Sequence, residues 1–202
     1  MERNINKILE GIPDKGYTFK DTTSLKWKYD VLDFFIDKNL YNCLEIGTWV
    51  GYTTKILANV FQEVWSIEFQ AQRHKKAQET CKGIDNITLI LGDAYSDETY
   101  KTFPKSFDAV VIDCDHSYEG VIKDISRGAS FIGNSNKIYF VFDDFGHSEQ
   151  TGVNAAVTHA LQSGLTLEKY IGKEPGTIIH RDDNTSFTLM DWEGVIASYE
   201  IK

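Results

Sequence analysis

NCLEIGTWVGYTTKILANVF, residues 42–61, changes its period halfway along. NCLEIG reads as a short apolar strand that ends in an acid and a glycine, and GYTTKILANVF continues as a helix. A strand running through a glycine turn into a helix is a βα unit, and the chain repeats it. EVWSIEF (63–69) is a second strand, with AQRHKKAQETCKG (71–83) as its helix. NITLILGD (86–93) is a third strand. FDAVVIDCD (107–115) is a fourth, followed by helical SYEGVIKDISRGASFI (117–132). KIYFVFDDF (137–145) is a fifth, followed by EQTGVNAAVTHALQSG (149–164).

Apolar strands alternating with helices indicate a parallel sheet covered on both faces. The tail has another character. LTLEKYI (165–171), a turn around KEPGT (173–177), then TIIHR (177–181) and TSFTLMDW (185–192) read as a closing antiparallel pair. The expected fold is α/β: a Rossmann-like, mostly parallel seven-stranded sheet with helices on both faces and a C-terminal antiparallel hairpin. Ahead of the first strand, residues 1–10 read as a short helix and 11–23 as a loop. Ser24 is placed to cap SLKWKYDVLDFFIDK (24–38), where Leu25, Tyr29, Leu32 and Phe35 or Ile36 recur at helical spacing. The chain divides into an N-terminal helical lid segment (1–39), a core (40–164) and a C-terminal hairpin (165–202), all within one domain.

Composition narrows the partners. The 202 residues carry a net charge of −9, which does not attract nucleic acid or an anionic membrane. Arg73, Lys75 and Lys76 cluster, but as the solvated face of a helix. Three cysteines, Cys43, Cys81 and Cys114, have no framework spacing and suit a reducing compartment. No apolar run is long enough to span a bilayer, and the N-terminal residues lack the apolar core of a signal peptide. A cytoplasmic protein acting on a small molecule is expected, with a homo-oligomer left open.

In open α/β sheets, ligands bind beyond the carboxyl ends of the strands. Here every parallel strand ends in acid: Glu45 with Gly47 and Gly51, then Glu68, Gly92–Asp93, Asp113 with Asp115 and His116, and Asp143–Asp144. Five acidic ends on one rim make a site. Gly47 and Gly51 would let backbone approach a ligand, and the helix after them offers free N–H groups. Their GxxxG spacing is not the GxGxxG of dinucleotide binders, and Glu45 would repel a pyrophosphate while suiting an amino group. Glu68, at the end of the second strand, is placed to accept hydrogen bonds from ribose hydroxyls.

Glu45-x-Gly47-x-x-x-Gly51, then Glu68, then Gly92-Asp93-Ala94 resemble the successive motifs of class I S-adenosylmethionine-dependent methyltransferases, from about Cys43 to Gly164. LEIGTWVGYTT is similar to the loop of catechol O-methyltransferase-like enzymes. The resemblance implies S-adenosyl-L-methionine as cofactor. Glu45 would face its methionine end; Gly47, Thr48 and Gly51 would line it, with Tyr52 and Thr53 near its carboxylate. Glu68 would hold the ribose, and Asp93 and Ala94 would flank the adenine. In metal-dependent members, acids at the ends of the fourth and fifth strands hold one divalent cation. Asp113, Asp143 and Asp144 match those places, and oxygen-only ligands suit Mg²⁺, or Mn²⁺ or Ca²⁺. Such a cation takes both oxygens of a substrate diol.

His116 stands three residues beyond Asp113, where catechol-type enzymes have a lysine and macrolide sugar O-methyltransferases a histidine. That implies a base for a small acceptor hydroxyl, sugar-like by preference, with Asp113 beside it. The plain reading is a helix N-terminal residue that orients Asp113 or Asp115. IDCDHSYEGVIKD also resembles a broad bacterial and phage group with a D-x-D-H-S-Y-E-G signature. Asp115 is a supporting group or a substitute ligand; His147 is a loop histidine or a substrate contact. Cys114 is expected to pack into the sheet, and Trp49, Trp27 and Tyr29 either wall the site or pack their own segments. Three competing readings share these residues. A cephalosporin-hydroxylase-like oxidation lacks a two-histidine, one-carboxylate pattern. A non-catalytic cofactor- and metal-binding module would not need every reactive part retained here. A nicotinamide dehydrogenase conflicts with the glycine spacing.

Overall fold

A computed structural model of the chain describes residues 4–14, 23–133, 136–180 and 184–201. Residues 15–22 of the expected 11–23 loop lie outside them. The N-terminal helix is one turn, α1 (Ile5–Ile8), with α2 (Leu25–Phe35) after the loop. Ser24 caps α2 as its sequence suggests, its side chain accepting from the Trp27 N–H. The βα units follow in chain order: β1 (Asn42–Ile46), α3 (Tyr52–Leu57), β2 (Glu63–Glu68), α4 (Ala71–Thr80), β3 (Ile87–Leu91), a 3₁₀ turn at Asp97–Tyr100, β4 (Ala109–Ile112), α5 (Tyr118–Ala129), β5 (Lys137–Phe142) and α6 (Thr151–Gln162). The tail adds β6 (Thr166–Ile171), β7 (Ile178–His180), β8 (Ser186–Thr188) and β9 (Gly194–Glu200).

The main sheet has seven strands in the order β3-β2-β1-β4-β5-β9-β6. The first five are parallel, while β9 pairs antiparallel with both β5 and β6. This is the Rossmann-like α/β sheet with antiparallel closure that the alternating pattern predicts. The closing strands differ in identity from the reading of the tail. TIIHR and TSFTLMDW do pair, but as the separate two-stranded β7–β8. The partner of LTLEKYI is the final segment GVIASYE, which the sequence reading leaves unassigned.

The pleat sorts the core into two layers. Leu44, Ile46, Val110, Ile112, Phe140 and Phe142 pack with Val121 of α5 and Val153 and Val157 of α6. Cys43, Val64, Ala109, Val111 and Val141 pack on the other face with Trp27, Leu32 and Phe35 of α2 and Ile56 of α3. Strand register sets the rim. Ile46 pairs with Ile112, and Ile112 with Phe142, so Gly47, Asp113 and Asp143 emerge at one level beside one another.

Candidate functional site

The loop between β1 and α3 is shaped by its neighbours in the fold. Gly47 has φ of 101°, and a Cβ there would stand 1.9 Å from the Asp113 carbonyl oxygen. Gly51, φ 87°, lies against Ala77 and Cys81 of the α4 segment. The sequence reading gives both glycines to an approaching ligand. The structure gives them first to the approach of β4 and α4, which positive φ and a missing Cβ permit.

Glu45 is turned away from the position expected of it. It shares a face with Cys43, opposite Leu44 and Ile46, so its side chain points under α3. Thr54 of α3 and Ser66 of β2 both donate to its Oε2, Ser66 at 2.5 Å. Burial pushes its carboxyl up to about 8, against the lowering effect of those two hydroxyls. Thr48 joins the same buried group through a 2.6 Å contact with the Ser66 hydroxyl. Glu45 and Thr48 therefore tie β1, β2 and α3 together. Thr53 is buried as well, 3.4 Å from the Thr23 hydroxyl, whereas Tyr52 is half-buried at the start of α3.

Glu68 terminates β2, nearly buried, and is held by two backbone donors. The Trp49 N–H reaches Oε2 at 2.9 Å and the Gln70 N–H reaches Oε1 at 2.8 Å. These bonds use one lone pair on each oxygen, so two remain for a diol. Trp49 adopts φ of 53° to make its bond, and the Arg73 guanidinium stacks 3.6 Å over its ring. Phe69, next to Glu68, is 70% exposed. Neither Trp49 as a capping donor nor Phe69 as an open aromatic face carries a sequence signal, because the tight loop conformation and the exposure are set by the tertiary fold. Asp93 is exposed at the end of β3 and caps Tyr95 N–H at 2.8 Å; Ala94, buried beside it, accepts from Tyr100 through its carbonyl.

The opposite end of the rim gathers carboxylates and an imidazole. Asp113 follows β4, and His116 stands at the approach to α5. Asp144 is swung toward them by φ of 54°, a left-handed conformation that aspartate tolerates better than most residues. His116 Nε2 lies 3.6 Å from Asp113 Oδ1 and 3.3 Å from Asp144 Oδ2. Ligand atoms of Asp113, His116 and Asp144 all fall within 4.8 Å of one another. Among the described residues this group is Asp113–His116–Asp144, not the expected Asp113–Asp143–Asp144. Asp143 is buried beside it at the end of β5. Strand register alone would put Asp143 beside Asp113; the left-handed backbone at Asp144 breaks the strand alternation where its carboxylate comes within 3.3 Å of His116 Nε2.

Burial opposes a positive charge on His116, but Asp113, Asp144 and Asp143 outweigh it and carry its pKa up to about 9. Asp115 is engaged locally, accepting from the Ser117 N–H at 2.9 Å. Cys114 is exposed and not packed into the sheet; partial desolvation of the thiol by its surroundings, with Asp124, Asp113 and Asp115 nearby, raises it to about 12, the opposite of an activated nucleophile. His147 is buried and stacks on Phe187 of β8 with ring centroids 3.7 Å apart. Trp27 is fully buried in the core, and Tyr29 is exposed. No described helix is long and apolar enough to cross a membrane.

Comparison with known proteins places this architecture. Residues 44–145, just over half of the chain, match the family described as Methyltransferase domain. A curated relative, the Protein-L-isoaspartate O-methyltransferase of Picosynechococcus sp., is 29% identical over 93 residues, which is 44% of this chain and 40% of that protein. The chain thus matches well under half the length of that relative. Among solved structures, the O-methyltransferase from Bacillus cereus in complex with SAH superposes with a TM-score of 0.65 at 14% identity, covering 98% of this chain and 90% of that one. Cofactor-bound Rv0187 from MTB gives a TM-score of 0.66 at 16% identity, covering 97% and 87%. At these identities the two structures speak for the fold.

Proposed function

This chain belongs to the Methyltransferase domain family, and we propose that it transfers the methyl group of S-adenosylmethionine to a hydroxyl oxygen of a small diol or sugar-like acceptor, with a divalent cation orienting that acceptor. The observation that carries the reading is the order of groups along one rim. The glycine loop and Glu68 stand at β1 and β2, Asp93–Ala94 at β3, and the Asp113–His116–Asp144 group at β4 and β5.

The β1–β3 half suits the cofactor. Glu68 has lone pairs free for the ribose hydroxyls, and Phe69 offers an apolar face next to it for the adenine. Asp93 and Ala94 would border that ring, and the α3 N-terminus at Gly51 and Tyr52 would meet the carboxylate end. Glu45, Thr48 and Thr53 support this half from beneath. The β4–β5 half suits the acceptor. Asp113 and Asp144 would hold the cation, which fits them because their carboxylates converge on a buried imidazole nitrogen with no hydrogen-bond partner. When bound, such an ion lowers the pKa of a coordinated hydroxyl and stabilises the oxyanion. The protein's own part is positioning the acceptor oxygen in line with the sulfonium methyl carbon, so that the C–O bond forms as the C–S bond breaks, S-adenosylhomocysteine departs and the hydroxyl proton passes to solvent water. That the curated relative is an O-methyltransferase also supports oxygen as the acceptor atom.

The test is calorimetric titration of S-adenosylmethionine into the purified chain, with and without Mg²⁺, followed by methyl transfer to diols and sugars. Micromolar binding that Glu68→Ala weakens at least tenfold is expected. No binding under either condition removes the methyltransferase reading.

A further inference from the structure

We propose that His116 is a ligand of the cation and not the base, so that Asp113, His116 and Asp144 form a mixed nitrogen–oxygen site that selects a transition-metal ion such as Mn²⁺ over Mg²⁺. The assignment deepens the methyl-transfer reading above, in which this group presents the cation to the acceptor.

Distance separates a ligand from a hydrogen-bonded neighbour. His116 Nε2 lies 3.6 Å from Asp113 Oδ1, beyond hydrogen-bond reach, and 3.3 Å from Asp144 Oδ2. Two donors each about 2.1 Å from one ion stand about 3.0 Å apart at a right angle and about 3.4 Å apart in a tetrahedron. The 3.3 Å separation falls in that range and the 3.6 Å one just beyond it, and all three ligand atoms lie within 4.8 Å of one another, as donors facing a common centre would. Nε2 is also buried and without a hydrogen-bond partner, a costly state that coordination removes. The imidazole is aimed by its element: Asp115 accepts from the Ser117 N–H, Ser117 caps α5, and the His116 carbonyl packs against Gly152 of α6, where a Cβ would stand 2.4 Å away. The ring thus leaves a fixed turn.

Donor chemistry then names the ion class. Mg²⁺ takes oxygen almost exclusively and keeps much of its water. One imidazole shifts preference toward Mn²⁺ and the later divalent ions. The ligand nitrogen must be unprotonated, so ion binding releases a proton from His116.

The experiment uses the full chain without cofactor, titrated calorimetrically with Mn²⁺ and with Mg²⁺, and pulsed electron paramagnetic resonance of the Mn²⁺ form. The expected result is Mn²⁺ binding at least tenfold tighter than Mg²⁺, with nitrogen modulation from one imidazole. His116→Gln should remove the modulation and bring the two affinities within about threefold, while keeping the wild-type melting profile. Asp113→Asn should weaken both ions. Equal affinities in the wild type, an oxygen-only spectrum, a His116→Gln variant with unchanged selectivity, or no ion binding at all would each overturn the assignment. Cofactor titration without metal reports separately on methyl transfer: absent S-adenosylmethionine binding removes that function and leaves a nitrogen-ligated ion standing, and an oxygen-only ion with intact cofactor binding does the reverse.

Discussion

Glu45 owes its place to the pleat. One residue earlier or later, the acid would face α5 and α6; at position 45 it goes under α3, between the Thr54 and Ser66 hydroxyls. Burial raises its carboxyl from an ordinary 4.5 to about 8. The folded chain therefore holds a proton that the unfolded chain has released across that interval. A raised folded pKa gives stability that is complete below pH 4.5 and declines as pH rises toward 8. Asp124, buried on α5 and pushed by desolvation and by Asp115 to about 7, adds a decline of the same sign. Denaturant unfolding at pH 5, 6.5 and 8 should show this fall, with Glu45 contributing at most about 1.4 kcal/mol per pH unit. Glu45→Gln keeps an acceptor for both hydroxyls and cannot titrate. Its stability should change less between pH 5 and 8 than that of the wild type, and an unchanged slope would mean that Glu45 is ionised in the folded protein.

Among the elements, the β1–α3 loop and β4 are fitted to each other through Gly47. A methyl group there would overlap the Asp113 carbonyl, and the φ of 101° is hostile to any side chain. Gly47→Ala should cost at least about 2–4 kcal/mol in denaturant unfolding, more than the same change at Gly11, where nothing lies within 4 Å. A second element-level tie joins the start of α2 to the turn before β9. Glu193 accepts from the Ser24 N–H at 2.9 Å, from the Ser24 hydroxyl at 2.5 Å and from the Lys173 N–H at 3.0 Å. Glu193→Ala strands these buried donors, and a loss of about 2–4 kcal/mol is expected from the same measurement. This tie was invisible in the sequence, because 169 residues separate its partners. The parallel strands were legible for the opposite reason: each is a local apolar run with a helix after it. β9 has no following helix to frame it, and its small Ala197 and Ser198 dilute the apolar signal, so the tail pairing went to the more regular β7 and β8. At the site, residue types at strand ends were readable, because strand termini in a parallel sheet share one rim. Side-chain direction was not. Glu45 beneath α3, and His116 between the Asp113 and Asp144 carboxylates, depend on pleat and backbone φ.

For the whole molecule, the two halves of the rim draw on one fold, so ligand binding should register as global stability. A ligand that binds only the native state stabilises by about 2.7 kcal/mol at one hundred times its Kd. For a chain of 202 residues this corresponds to a rise of roughly 5–11 °C in Tm. S-adenosylhomocysteine should produce that rise without added metal, since the β1–β3 half contains none of the Asp113–His116–Asp144 group. Glu68→Ala complicates a simple melting comparison, because it also frees the Trp49 and Gln70 N–H groups and lowers Tm by itself. The informative quantity is therefore the ligand-induced shift within each variant. It should shrink to under a third of the wild-type shift in Glu68→Ala and persist in Asp113→Asn. A full shift in Glu68→Ala would take the ribose away from β2. A shift lost in Asp113→Asn would mean that the two halves are energetically coupled where Asp113 meets the end of β1, through the Gly47 approach and the Asp113 N–H that donates to the Ile46 carbonyl at 2.9 Å.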